Sequence, residues 1–185
     1  MINKYIFREY DIRGVYPKDI NESLAYLLGK AFATKLKRLG KDTTLVGYDN
    51  RYSSPNLEKE LVKGITECGV NVVRLGLVTT PMYYYGWDYL NIKSGIMITA
   101  SHNPKDENGF KFSYNGINNA YGTSSLELYQ MIINKDFSEE SNKGEVKTVD
   151  IKKDYINMIT SNIHLGNHKK LHYLYQLPYN FLHSL

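Results

Sequence analysis

Ser101, His102 and Lys111 fall close together in the stretch GIMITASHNPKDENGFKF, Gly95 to Phe112. An apolar, β-branched run ends abruptly in Ser-His-Asn-Pro. A charged turn follows, then Phe-Lys-Phe. A serine beside a histidine raises nucleophilic chemistry, but two features argue against a hydrolase. Neighbours in an extended chain point to opposite sides, so His102 is expected to be badly placed as a direct base for Ser101. The Gly-x-Ser-x-Gly elbow of hydrolases is replaced by Thr-Ala-Ser-His-Asn. Phosphoryl transfer suits the residues better. A phosphorylated serine carries about −1.5 to −2 charge and needs cations around it. His102, Lys111, Arg13 and Arg51 are the candidates. Such transfer rests on positioning and charge stabilisation, with a proton acceptor for the attacking hydroxyl. Lys111 lies between Phe110 and Phe112. If both rings face the core, alternation turns Lys111 to the other face, toward the serine loop. The competing reading is a plain turn, since Ser, Asn and Pro are ordinary turn residues, with Lys111 as a solvated strand lysine. The residues alone leave both readings open.

The elements needed to hold such a loop are visible along the chain. KYIFREYDIRG reads as a short strand and then a polar loop closed by Gly14. Asn21-Glu22-Ser23 opens a helix whose Leu24, Leu28, Ala31, Phe32, Leu36 and Leu39 recur at helical spacing, ended by Gly40. TTLVGYD is a short apolar strand. Ser54 is the expected N-cap of the next helix, with Pro55 at its first position. NVVRLGLV is a strand, and Thr80-Pro81 opens a helix through MYYYGWDYL. SGIMITA is the most convincing buried strand. Asn108-Gly109 signals a tight turn, and GFKFSYNGI alternates as a strand or hairpin beside SGIMITA. TSSLELYQMIIN is a helix, FSEESNKGEVKTVD a polar linker, and IKKDYINMITSNIHL an amphipathic helix. The β-α-β-α-β order predicts a three-layer α/β/α domain with a mixed sheet.

Composition sets the class. The 185 residues are 42% apolar and 23% charged, which describes a globular chain. The net charge of +4 is spread over scattered lysines without a dense basic block, so no nucleic-acid partner is expected. The single cysteine, Cys68, reads as a small core residue and fits a reducing compartment. The N-terminus has no apolar leader and no run is long enough to span a bilayer, so no membrane role and a cytoplasmic location are expected.

TASHNPKDENGFK closely resembles the phosphoserine loop of the α-D-phosphohexomutases, the phosphomannomutase and phosphoglucomutase group. FREYDIRG (Phe7 to Gly14) resembles that family's N-terminal active-site loop. VGYDNRYSSP (Val46 to Pro55) and GLVTTPMYYY resemble two further segments, all in the family's order. The resemblance covers residues 6–150, with a fainter continuation to about residue 171. It implies that phosphorylated Ser101 gives its phosphoryl group to a hexose phosphate and takes the other back from the resulting bisphosphate. By the same resemblance, His102 and Lys111 assist proton transfer and stabilise charge. Arg13 and Tyr10 line the cleft with Lys111, as substrate-binding residues, and Asn103 shapes the loop and meets substrate. Arg51 is expected to make a structural loop contact. A Mg²⁺ is implied on one phosphoserine oxygen of Ser101, and a hexose 1,6-bisphosphate is implied as activator. A phosphorylated hexose is the expected partner.

The resemblance also sets expectations about extent. The family enzyme has four domains, with a metal-binding Asp-Gly-Asp type loop in domain II; Asp150 and Asp154 lack that pattern. Residues 1–150 therefore read as domain I, and residues 151–185 as a truncated start of domain II with an aberrant tail, LHYLYQLPYNFLHSL. The expectation is an incomplete fragment, inactive alone; the alternative is a non-catalytic remnant or anion-binding or partner-binding module of the same fold. The Tyr83-Tyr84-Tyr85 and Trp87 cluster reads as helix-to-sheet packing rather than sugar stacking. Ser53-Ser54-Pro55 reads as a helix start only. His164, His168 and His172 recur every four residues but lack a carboxylate to complete a metal set.

Overall fold

The computed structural model describes residues 2–116 and 125–163. A six-stranded mixed sheet runs through the domain in the order β1-β5-β4-β2-β3-β6. The strands are β1 (Asp11–Val15), β2 (Thr43–Tyr48), β3 (Asn71–Leu77), β4 (Gly95–Ile98), β5 (Glu107–Ser113) and β6 (Val146–Thr148). β2 is parallel to β3 and β4, and β3 is parallel to β6. β5 runs antiparallel to both β4 and β1. The helices are α1 (Glu22–Arg38), α2 (Ser54–Glu67), α3 (Thr80–Tyr89), α4 (Ser125–Ile133) and α5 (Lys152–Ser161).

Side-chain alternation splits the sheet between two cores. Val46, Ile96, Ile98, Phe110 and Phe112 point to the face covered by α1, α2 and α4. Leu45 and Met97 point to the other, with Tyr83 and Trp87 of α3. The expected three-layer α/β/α domain with a mixed sheet is therefore present. The aromatic cluster is mainly packing, as expected: Tyr83 and Trp87 are buried, with ring centroids 5.3 Å apart in an edge-on pair. Cys68 is buried as a free thiol, and burial pushes it above its ordinary value.

α1 and α2 meet through two glycines. A Cβ on Gly29 would stand 2.3 Å from the Leu61 carbonyl oxygen, and one on Gly64 would stand 2.1 Å from that of Tyr26. Each glycine lets the other helix's backbone approach, which no larger residue permits. Helical spacing predicts both helices but not this contact.

Several expected elements shift. The N-terminal strand read at KYIF is a short 3-10 turn, Lys4–Ile6. The strand lies instead in the stretch read as loop, because Ile12 is fully buried and β1 pairs with β5. Asn108-Gly109 is not a turn but the interior of β5. Asn108 is completely buried, and a Cβ on Gly109 would stand 2.2 Å from the Ile12 carbonyl oxygen. Ser53, not Ser54, occupies the N-cap position of α2, without a side-chain capping bond. The polar stretch read as linker carries β6, whose exposed residues give no apolar alternation to read. Ile151, which follows it, is fully buried in the α3-side core. α5 buries no residue, and Ile156 and Ile159 on it are exposed. The proposed tail and the three histidines at 164, 168 and 172 lie outside the described residues.

Candidate active site

β2 and β4, both parallel strands, end side by side, and the polypeptide after each forms one wall of the site. This is where open α/β sheets place their ligands. After β4 the chain passes through Thr99 and Ala100 into the turn bearing Ser101. Ser101 is exposed and has φ +58°, the left-handed region that a serine adopts only when held there. Its N–H donates to Thr99 Oγ1 at 2.9 Å.

An extended chain would have turned His102 away from Ser101. Here the chain reverses at Ser101, and His102 Nδ1 stands 3.4 Å from Ser101 Oγ. Which of the two donates depends on the imidazole tautomer.

Two arginines grip the loop from opposite sides. Arg13 extends from β1. Its Nε and Nη2 both approach Asp11 Oδ2 at 2.7 Å, and its Nη1 donates to Asn103 Oδ1 at 3.0 Å. Asp11 and Arg13 are two apart on a strand and so share a face. Arg51 follows β2, and its Nε donates to Asp49 Oδ2 at 3.2 Å. Its two Nη groups reach carbonyl oxygens of the serine loop, those of Ser101, Asn103, Pro104 and Glu107. The expected structural loop contact for Arg51 is thus present.

Asn103 is used at both ends of its amide. It accepts from Arg13 and donates to Glu107 Oε2 at 2.6 Å, which fixes the loop's shape. Lys111 sits opposite Asp11 and Met97 in the sheet. Phe110 and Phe112 are buried on the α1 side, so Lys111 projects to the face of Asp11 and Arg13, as alternation predicted. Tyr10 is half exposed immediately before β1.

Four further residues were missed in the sequence. Asp11 and Asp49 balance the two arginines, and Thr99 holds the Ser101 amide. Asn108 ties β5 to the start of α2, donating to Ser53 Oγ at 2.7 Å and Ser54 Oγ at 3.0 Å. Ser54 Oγ in turn donates to Asp49 Oδ1 at 2.8 Å, so the Ser53-Ser54 pair is more than a helix start. The Asp-x-Arg pattern at both Asp11 and Asp49 was the available signal.

Among the described residues, no group of three or more His, Cys, Asp and Glu stands together as a metal site. The carboxylates beside the loop, Asp11, Asp49 and Glu107, are already engaged by Arg13, Arg51 and Asn103. Octahedral Mg²⁺ needs several oxygen ligands. The described residues offer only Ser101, once phosphorylated, and do not fit a complete site.

Fold and loop together define a layered α/β domain that presents a serine hydroxyl at the strand ends. The family profile described as phosphoglucomutase/phosphomannomutase, alpha/beta/alpha domain I, matches residues 4–139. The chain belongs to the phosphoglucomutase/phosphomannomutase family. It is 40% identical over 164 residues to a phosphoglucomutase of Neisseria meningitidis serogroup B, covering 89% of this chain and 35% of the relative. It is 38% identical over 166 residues to a phosphomannomutase/phosphoglucomutase of Pseudomonas aeruginosa, covering 90% and 35%. The crystal structure of a family protein from Burkholderia thailandensis superposes with a TM-score of 0.81 at 34% identity, covering 89% of this chain and 37% of that one. The chain thus spans about a third of the length of these relatives. No helix among the described residues is long and apolar enough to cross a membrane.

Proposed function

We propose that Ser101 carries the phosphoryl group in hexose-phosphate mutase chemistry. Phosphoserine 101 gives its phosphoryl group to a free hydroxyl of a hexose 1- or 6-phosphate, and the hydroxyl's proton leaves to a base. The bound 1,6-bisphosphate then returns its other phosphoryl group to the Ser101 oxygen. The net change moves phosphate between the 1- and 6-positions, and hexose 1,6-bisphosphate recharges a serine that has lost its group.

The carrying observation is the exposed Ser101 hydroxyl on a left-handed turn, with His102 Nδ1 3.4 Å away. His102 is positioned to exchange a proton with the hydroxyl or with a bound sugar oxygen. Arg13 keeps the loop in register through Asn103, its own charge balanced by Asp11. Lys111 shares its sheet face and supplies a further cation toward a phosphate, and Tyr10 flanks the same edge. A Mg²⁺ on the phosphoserine would neutralise charge on the transferring group; the described residues provide one ligand to it, so its remaining ligands must come from elsewhere. The family supports a cytoplasmic setting.

The test is phosphate uptake. The chain incubated with glucose 1,6-bisphosphate and Mg²⁺ should gain the mass of one phosphoryl group, mapped to Ser101 and absent in Ser101→Ala. No uptake, or uptake elsewhere, defeats the reading.

A further inference from the structure

We propose that Arg51 is the positioning residue of the Ser101 loop, holding the serine backbone in the conformation from which its hydroxyl takes up phosphate. The phosphate half of this statement rests on the function proposed above; the clamp itself does not.

A guanidinium has five N–H donors in a rigid plane, and their destinations here are specific. Nε goes to Asp49 Oδ2. Nη1 reaches the carbonyl oxygens of Glu107, at 2.8 Å, and Pro104. Nη2 reaches those of Asn103, at 2.7 Å, and Ser101, at 3.3 Å. Four carbonyls from both limbs of one loop thus converge on one side chain, which is only 11% exposed. The anchor is itself held. Asp49 Oδ1 accepts from the Arg51 N–H at 3.1 Å and from Ser54 Oγ at 2.8 Å, which ties the clamp to α2.

Two consequences follow. A left-handed serine is strained, and it persists only where both flanking peptides are fixed. Thr99 Oγ1 fixes the Ser101 N–H and Arg51 fixes its carbonyl. The second consequence is electrostatic. The negative ends of four carbonyl dipoles are turned toward the guanidinium. Without it they are free to turn toward the serine hydroxyl, where a phosphate dianion would meet them. Arg13 does not duplicate this work. Its donors go mainly to the Asp11 carboxylate and the Asn103 side chain, with one long contact to the Ala100 carbonyl at 3.5 Å. Lysine is no substitute for Arg51, because three tetrahedral donors cannot serve four carbonyls and a carboxylate.

The experiment compares the full chain with Arg51→Ala and Arg51→Lys by hydrogen exchange and by phosphate uptake from glucose 1,6-bisphosphate. The loop amides of Asn103 and Glu107 donate to the Ala100 and Pro104 carbonyls, both at 3.1 Å, and report loop opening. In both variants peptides spanning residues 99–107 should exchange about tenfold faster or more, while α1 and β2 exchange as before. The maximal rate of Ser101 phosphorylation should fall about 100-fold, with the half-saturating bisphosphate concentration unchanged. A general structural lesion would instead raise exchange in α2 and β2 as well. Unchanged loop exchange, or an Arg51→Lys variant equal to the parent chain, overturns the clamp. If Arg51→Ala does not fold, Arg51→Lys decides. A parent chain that takes no phosphate defeats the mutase reading and the phosphate half of this proposal, while the exchange data still decide the clamp.

Discussion

Removal of Arg13 is expected to weaken the fold as well as the site, and the two effects are separable. Arg13 and Asp11 are 13% and 5% exposed at their side chains, and two guanidinium nitrogens stand 2.7 Å from one carboxylate oxygen. Truncating one partner of a buried pair leaves an uncompensated charge, which costs about 3–5 kcal/mol. A domain of this size has only about 5–15 kcal/mol in total. At about 2–4 °C per kcal/mol, Arg13→Ala should lower Tm by about 10 °C. The double variant Asp11→Asn/Arg13→Gln removes both charges, so it should be more stable than Arg13→Ala by about 2 kcal/mol. Urea unfolding of the parent, Asp11→Asn, Arg13→Gln and the double variant closes the cycle, with Arg13→Ala measured beside it. Phosphate uptake at Ser101, measured well below every midpoint, should be lost in Arg13→Ala and in the stabler double variant alike. A loss below about 1 kcal/mol in Arg13→Ala is the behaviour of a surface ion pair. That result would refute the view that Asp11 is a buried carboxylate dependent on Arg13.

Two further outcomes are expected away from the site. Gly64→Ala places a Cβ 2.1 Å from the Tyr26 carbonyl oxygen, so α1 and α2 must separate, and urea unfolding should show a loss of about 1–3 kcal/mol or more. The hydrogen bond that Tyr26 Oη donates to Glu67 at 2.6 Å pushes Tyr26 up to about 12 and holds Glu67 below the usual carboxylate range, with nearby lysines assisting on Glu67. Because the folded tyrosine is raised, this contribution is whole below about pH 10, the ordinary tyrosine value. It is lost as pH rises toward about 12. On the glutamate side it is present above the ordinary carboxylate range and lost as pH falls through the lowered value. Tyr26→Phe should flatten both limbs of a urea-midpoint profile against pH, and an unchanged profile would sink the assignment.

The layered fold was legible because its signals are local. Apolar spacing in Leu24 to Leu36 can be buried only as a helix, and SGIMITA suits only a strand covered on both faces. The serine loop was legible in the same way, as a polar break at a strand end. What the sequence determined was the helices and the apolar central strands, the loop, and the side to which Lys111 turns between two buried phenylalanines. Tertiary structure decided the rest. Whether residues 11–15 form a strand depended on β5 lying beside them, and Asn108-Gly109 became strand interior because Ser53, Ser54 and Ile12 come from distant parts of the chain. β6 formed from residues without apolar alternation because the exposed edge of β3 offered backbone partners. The pairing of His102 with Ser101 followed from one left-handed residue, and that residue is held by an arginine fifty positions earlier in the chain. Backbone hydrogen bonds and ion pairs between distant segments leave no periodicity in a sequence, so only the folded chain displays them.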